Sequence, residues 1–284
     1  MTITVVAALT LSPSLSLLAA RTPHQAGVRE DLLEQADARV RSHLLQRGWR
    51  PVSGAGLAEA AAPLEPLGIE LLTATRPFQI HLAGGVVTGD AAAPAQAEDT
   101  ARVLAAELVR YPPSFLAAVR LRRVMICTEL HEDSVRIPSL PNYERSLLLD
   151  AGSPSGFIRR LVHHEVFHFA DFADDHQLKR DPEWEKLNEP FFSYGEGGRF
   201  MRRPGSALLN DALPGFLSQY STAALEEDKA EVFAFSLSAP AEVARIAARD
   251  PIVRAKVRAV RAQVARLDPA MGRAFWANVA EGHL

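Results

Sequence analysis

The sequence predicts an α+β fold, with short strands in the first half of the chain and mainly helices in the second. Apolar runs of strand length occur at residues 69–73, 78–82, 124–130 and 146–150. From residue 155 onward the apolar residues recur mainly at helical spacing. Strands that are grouped ahead of helices favour an α+β arrangement. The 284 residues are enough to bury a sizeable core.

Composition and charge are those of an ordinary globular protein. Hydrophobic residues make up 48% of the chain, charged residues 23%, and the formal net charge is −3. Lys and Arg are scattered rather than clustered, so the charge gives no reason to expect a nucleic acid as partner. The single cysteine, Cys127, excludes an intramolecular disulfide and a zinc site built on a cysteine pair.

The first 26 residues allow two interpretations, a secretory signal peptide or an N-terminal strand at Ile3–Val6. Small residues near Ala20 or Ala26 suit signal cleavage, but no basic residue precedes Arg21. Pro13 and its serine neighbours break the apolar run, so a membrane span is not expected. A secreted or periplasmic location therefore fits the sequence as well as a cytoplasmic one, and the oligomeric state is left open.

Residues 27–115 form a predicted N-terminal α/β part. It begins with a predicted helix at 28–46 that ends at Gly48, followed by a loop or short helix at 51–68. Strands at 69–73 and 78–82 come next, and then a surface loop at 86–96. A helix at 98–111, which Pro112 and Pro113 stop, completes this part.

Residues 116–284 form the predicted catalytic part. It begins with strands at 124–130 and 146–150, which a polar connection with Pro138 and Pro141 joins. A helix from about 155 to 172 and a long connection at 176–218 follow. The remaining predicted elements are helices at 221–238, 241–249, 252–267 and 270–280. A connection as long as 176–218 is usually functional or contains short elements of its own.

The motif that indicates chemistry is His164-Glu165-Val166-Phe167-His168. Residues four apart on a helix lie on the same face, so both imidazoles can reach one zinc ion. Glu165 can then lean over the open coordination position and take a proton from water. The segment lies inside a predicted helix with an apolar opposite face. The sequence therefore predicts a zinc site with His164 and His168 as ligands and Glu165 as general base.

Catalytic zinc takes a third protein ligand, and the sequence offers two places for it. Asp174 lies six residues after His168, but that geometry needs a sharp turn where glycine is usual and Asp171 stands here. Alternatively, Glu227 and Glu231 are four apart on a helix, so that one can bind zinc while the other supports a ligand histidine.

Taken together, His164-Glu165-x-x-His168 and Tyr220-x6-Glu227-x-x-Ala230-Glu231-x-Phe233 resemble the lethal-factor-type zinc metallopeptidases, gluzincin-like enzymes related to the Pro-Pro endopeptidases. The resemblance covers roughly residues 115–240. It implies a zincin-like fold, in which a small twisted mixed sheet packs on the active-site helix beside a largely helical C-terminal half. It also implies that Glu227 is the third ligand, that Tyr220 points into the site and that Glu231 supports a ligand.

Two further residues are assigned to the site. The Tyr220 phenol can donate a hydrogen bond to the oxyanion of a tetrahedral intermediate. Asp171 lies one turn beyond His168 on the same helix face, where it can orient His168, His164 or the helix end, or belong to the solvated run with Asp174.

The expected function is a zinc-dependent metalloendopeptidase that acts on a peptide or protein substrate. The alternative is a zinc-binding module with the same fold and no turnover. We expect a sheet edge, either 124–130 or 146–150, to border the zinc cleft and to pair with an extended substrate. Selectivity would then come from side-chain pockets around residues 191–194.

Overall fold

The computed structural model describes residues 23–82, 85–142, 145–201, 203 and 205–283. Residues 1–22, which hold most of the predicted signal peptide and all of the alternative N-terminal strand, lie outside the described residues. Residues 23–26 are the beginning of the first helix. No helix in the described ranges is long and apolar enough to cross a membrane.

Over the described residues the chain contains one eight-stranded sheet. Its strands are β1 (Trp49–Pro51), β2 (Glu70–Ala74), β3 (Phe78–Leu82), β4 (Gly85–Asp90), β5 (Arg123–Glu132), β6 (Val135–Arg136), β7 (Ser139–Asn142) and β8 (Ser146–Asp150). Strands β2 and β8 run parallel to β5, which lies between them. The other pairs are antiparallel, including β4 with β5 and β7 with β8. The sheet is therefore mixed, as predicted.

The helices are α1 (Pro23–Gln46), α2 (Ala55–Ala61), α3 (Pro94–Leu108), α4 (Pro113–Ala118), α5 (Ser155–Asp175), α6 (Pro182–Glu185), α7 (Gly198–Met201), α8 (Leu225–Ser238), α9 (Pro240–Arg249), α10 (Pro251–Leu267) and α11 (Arg273–Glu281). Three 3-10 turns lie at Ala62–Leu67, Tyr220–Thr222 and Pro269–Met271. The predicted α+β class, with a largely helical C-terminal half, is confirmed.

All four predicted strands are present, and four more were missed. The predicted surface loop at 86–96 is wrong, because its first residues pair on both sides as β4 and its last residues begin α3. The polar connection at 131–145 contains β6 and β7, and β7 pairs with β8 in spite of Pro141. The sheet is consequently larger than expected.

Helix α5 lies at the centre of the molecule. Every residue from Arg160 to Asp171 is buried, because α3, α8 and α10 pack around the helix. The main core cluster runs from Ala60 to Val279, and strand β2 lies beside β5 in the sheet. Residues of the two predicted parts, 27–115 and 116–284, therefore share one sheet and one core.

Candidate metal centre

The two motif histidines project from the same face of α5. Their ring centroids are 4.7 Å apart, and the Nε2 atoms of His164 and His168 are separated by 3.1 Å. Both rings are buried, because this face of α5 packs against α8. The four-residue spacing therefore brings two imidazole nitrogens to a single point.

Glu227, in the first turn of α8, completes a group of three potential ligands. Its Oε2 lies 2.9 Å from His164 Nε2 and 3.6 Å from His168 Nε2. Two ligand atoms that are each about 2.1 Å from a tetrahedral zinc ion lie about 3.4 Å apart. Among the described residues, His164, His168 and Glu227 are the one group found that could hold a metal ion. Their number, type and separation fit zinc.

The charges within this group also suit a cation. Burial alone would lower the pKa of His164, but hydrogen bonds with Glu227 and Glu231 outweigh it and raise the pKa to about 9. Burial likewise opposes ionisation of Glu227, yet the two histidines hold the pKa of its carboxyl well below its usual range. An ionised carboxylate beside two imidazoles is a donor set that zinc prefers.

Glu231 lies behind His164, one helical turn beyond Glu227. Its Oε1 is 3.1 Å from His164 Nδ1, and its Oε2 accepts a hydrogen bond of 2.7 Å from Ser218 Oγ. Arg160 also donates to Oε1, while its guanidinium lies 4.9 Å from the ring centroid of Phe235. The carboxylate is thus fixed from three sides and fixes the orientation of the His164 ring.

Asp171 is buried, so it does not belong to the solvated run that the sequence also allowed. It accepts hydrogen bonds from Lys229 Nζ and, at 2.7 Å, from Gln263 Nε2. The buried ammonium of Lys229 needs counterions and takes both Asp171 and Asp181. His168 Nδ1 and Asp171 Oδ2 are buried, and neither has a hydrogen-bond partner among the described residues. Asp171 therefore anchors α8 and α10 to α5 rather than holding a ligand histidine by a hydrogen bond.

Asp174, the nearer of the two candidates for third ligand, lies away from the histidines. Its carboxylate pairs with Arg266 on α10 at 2.9 Å, and both side chains are partly exposed. It does not belong to the group of potential metal ligands. Of the two alternatives left open by the sequence, the geometry brings together Glu227 and the two histidines.

Glu165 lies next to this group without belonging to it. Ser139, the first residue of β7, donates a hydrogen bond of 2.6 Å from its Oγ to Glu165 Oε1. Glu165 Oε2 is buried and has no hydrogen-bond partner among the described residues. The expectation that 124–130 or 146–150 is the bordering sheet edge is wrong, because β5 and β8 each have a strand on both sides and β7 lies outside β8.

Tyr220 and Gly198 meet at the Glu227 carboxylate. Tyr220 is buried in a 3-10 turn, with its ring centroid 6.1 Å from that of His164. Gly198, the first residue of α7, packs so closely that a Cβ there would overlap both the Tyr220 hydroxyl and Glu227 Oε1. The backbone of α7 thus covers one side of the site, and a side chain at position 198 would have to displace these two groups.

A cavity of about 390 Å³ opens beside His164 and Glu165. Much of its wall is apolar, and the apolar lining residues include Ile137, Pro138, Phe157, Leu161 and Leu208. The predicted pocket residues around 191–194 do not line it. Residues 192–194 border a separate cavity, together with Glu185 and Glu226.

A buried polar network fixes the long connection to α8 next to Glu227. Asp228 Oδ2 accepts hydrogen bonds from Trp184 Nε1 at 3.0 Å, Tyr194 OH at 2.7 Å and Lys256 Nζ at 2.7 Å. Asn188 Nδ2 donates to the same Tyr194 hydroxyl at 3.0 Å. This network holds the part of the connection from Trp184 to Tyr194 in a defined position against α8.

Three residues around the site were not predicted from the sequence. Arg160 lies four residues before His164 on the same helix, so helical spacing could have identified it. Gly198 has no side chain, so its residue type gives no indication of a place at the site. Ser139 carries no local signal, because its contact with Glu165 depends on how β7 pairs with β8.

The chain was compared with protein-family models, curated proteins and solved structures, and none of them matches it. The chemistry of the site must therefore be argued from its own residues.

Proposed function

We propose that the chain is a zinc-dependent peptidase in which His164, His168 and Glu227 hold the metal and Glu165 is the general base. One observation carries the proposal. The carboxylate of Glu165 lies beside the three potential ligands, is not one of them, and has a buried oxygen with no hydrogen-bond partner among the described residues. A purely structural zinc site has no use for such a group.

Zinc, when bound, would polarise the substrate carbonyl and acidify a water molecule. Glu165 would take the proton from that water and later deliver it to the leaving amine. The phenol of Tyr220, buried near the His164 ring, would donate a hydrogen bond to the developing oxyanion. Glu231 would keep the His164 ring in place during these steps.

The arrangement of elements supports the resemblance to the lethal-factor-type peptidases. Helix α5 lies beside a mixed sheet and packs against the helical C-terminal half through α8. The two motifs that carry the resemblance come from α5 and from the segment that includes α8, and their side chains meet. A zincin-like fold is therefore part of the proposal.

The substrate would lie along β7. This strand forms one end of the sheet among the described strands, and its Ser139 contacts Glu165. An extended peptide could add to it by main-chain hydrogen bonds. The adjacent cavity of about 390 Å³ would then receive one side chain, and its largely apolar wall favours a bulky apolar one.

The test is digestion of a proteome-derived peptide library by zinc-loaded wild-type protein and by Glu165→Gln. We expect the wild type to cleave peptides, with bulky apolar residues enriched at one position next to the cut. The variant should bind zinc normally but lose about 10²- to 10⁴-fold in rate, because it keeps the shape and loses the base. If both proteins bind zinc and neither cleaves any peptide, the chain is the zinc-binding module without turnover.

A further inference from the structure

The two oxygens of Glu165 have different surroundings. Oε1 accepts a hydrogen bond of 2.6 Å from Ser139 Oγ, and both side chains are buried. Oε2 is also buried, but no described residue donates a hydrogen bond to it. A buried carboxylate oxygen without a donor is costly, which points to an unfilled functional contact at that atom.

Ser139 is firmly held in the sheet. Just before it, Ile137 N donates to Leu130 O at 2.9 Å, and Pro138 O accepts from Asp150 N at 2.8 Å. Ser139 itself pairs with Leu149 in the register of β7 and β8. Its backbone is therefore fixed on a rigid element, and its hydroxyl acts on Glu165 from a defined position.

We infer that Ser139 is a positioning residue for the general base, holding Glu165 Oε1 so that Oε2 is the oxygen that exchanges the proton. This inference rests on the proposed function. In the first step a water O–H bond breaks and its proton moves to Oε2, while the water oxygen bonds to the substrate carbonyl carbon and the C=O π electrons move onto the carbonyl oxygen. In the second step that oxygen re-forms the C=O double bond, the C–N bond breaks, and the proton on Oε2 passes to the amine nitrogen.

The hydroxyl matters because the last torsion of a glutamate side chain is broad. Without a donor on Oε1, the carboxylate can rotate, and the proton can be placed on either oxygen. With Ser139 donating to Oε1, that oxygen acts as an acceptor in both protonation states of Glu165. The proton therefore stays on the oxygen that faces the reacting groups.

The experiment compares Ser139→Ala with a matched control, Ser146→Ala. Ser146 lies on the neighbouring strand β8, is equally buried, and accepts a hydrogen bond of 3.1 Å from Arg123 Nη1, away from the metal centre. Ser139→Thr restores a hydroxyl, and Ser139→Val has the shape of that variant without one. Each zinc-loaded protein is assayed for zinc content, kcat, KM and the affinity for acetohydroxamate, a zinc chelator that gives a proton to a neighbouring base.

For Ser139→Ala we expect kcat to fall about 10- to 100-fold, as for loss of a hydrogen bond to a charged group. KM should stay within about two-fold of the wild-type value, because substrate binding does not use the hydroxyl. Acetohydroxamate should bind about 10-fold more weakly, since the Glu165 carboxylate that accepts its proton is no longer held in place. The zinc content of Ser139→Ala should not change. Ser139→Thr should recover activity, whereas Ser139→Val should be as impaired as Ser139→Ala. Ser146→Ala should behave like the wild type.

The inference is overturned if Ser139→Ala keeps the wild-type kcat, if Ser146→Ala loses as much, or if the Thr and Val variants are equally impaired. If the wild type cleaves no peptide at all, the proposed function fails, and the affinity for acetohydroxamate becomes the test of whether Ser139 positions Glu165. Equal affinities of Ser139→Ala and the wild type would then refute that role of Ser139.

Discussion

Glu231→Gln tests how far the residues behind the ligands shape the metal centre. The substitution keeps the volume of the side chain, but its single amide oxygen can take only one of the two positions that face His164 and Ser218. It removes the negative charge that faces His164 Nδ1 at 3.1 Å and the counterion of Arg160. Both losses occur in a buried environment, where charge is poorly screened.

Two magnitudes follow from this geometry. Loss of an outer partner of a metal-bound histidine lowers metal affinity by about 10- to 100-fold, or about 1.4–2.7 kcal/mol. The side chain of Arg160 is only 11% exposed, so its guanidinium would remain in the interior without its counter-charge. Removing one partner of a buried pair costs about 3–5 kcal/mol, and the amide that replaces the carboxylate should keep the loss near the lower figure.

Zinc affinity is measured by competition with a chromophoric chelator, and stability by urea unfolding of the zinc-free protein. Glu226→Gln is the matched control, because Glu226 lies on the same helix α8, in its first turn, and is not among the potential ligands. If Glu231→Gln binds zinc as tightly as the control, Glu231 does not support the metal centre, and the reasoning from its contacts is refuted.

Three other substitutions test neighbouring parts of the account. Lys256→Met should lower the free energy of unfolding by about 3–5 kcal/mol in urea denaturation, because it leaves Asp228 buried without its cation. Gly198→Ala should weaken zinc binding by about 10-fold in the chelator competition, since the added methyl group overlaps the Glu227 carboxylate. Glu227→Gln should lower zinc affinity by about 100-fold or more, whereas Asp174→Asn should leave it within about two-fold.

Each of these has a defined contrary result. If Lys256→Met unfolds with the same urea midpoint as the wild type, the ion pair of Lys256 with Asp228 contributes no net stability. Normal zinc affinity in Gly198→Ala would show that α7 can shift without disturbing Glu227. The control is Gly156→Ala, whose added carbon would meet no atom within 4 Å. Weaker zinc binding in Asp174→Asn alone would move the third ligand to that residue.

The sequence predicted the strands and helices whose own residues specify them. The strand segments 124–130 and 146–150 contain the continuous apolar stretches 124–127 and 147–149, because β5 and β8 lie inside the sheet with neighbours on both sides. Strands β4 and β7 were missed because their few apolar residues lie among glycine, proline and polar residues. Their strand conformation depends on pairing with β5 and β8, which no local pattern reports.

The candidate site divides in the same way. Helical spacing alone brings His164 and His168 to one face, so the sequence was sufficient for that pair. Glu227 lies on a different helix, and its distance from the histidines depends on the packing of α8 against α5. Ser139 depends on strand register, and neither contact could be derived from spacing along the chain.

Zinc content measures the central claim most directly. Wild-type protein purified without chelator and analysed by inductively coupled plasma mass spectrometry should contain about one zinc ion per chain. His164→Ala and His168→Ala, prepared in the same way, should contain almost none while keeping the helical circular dichroism of the wild type. A wild-type protein that contains no zinc, and takes up none when zinc is supplied after refolding or dialysis, would contradict the account.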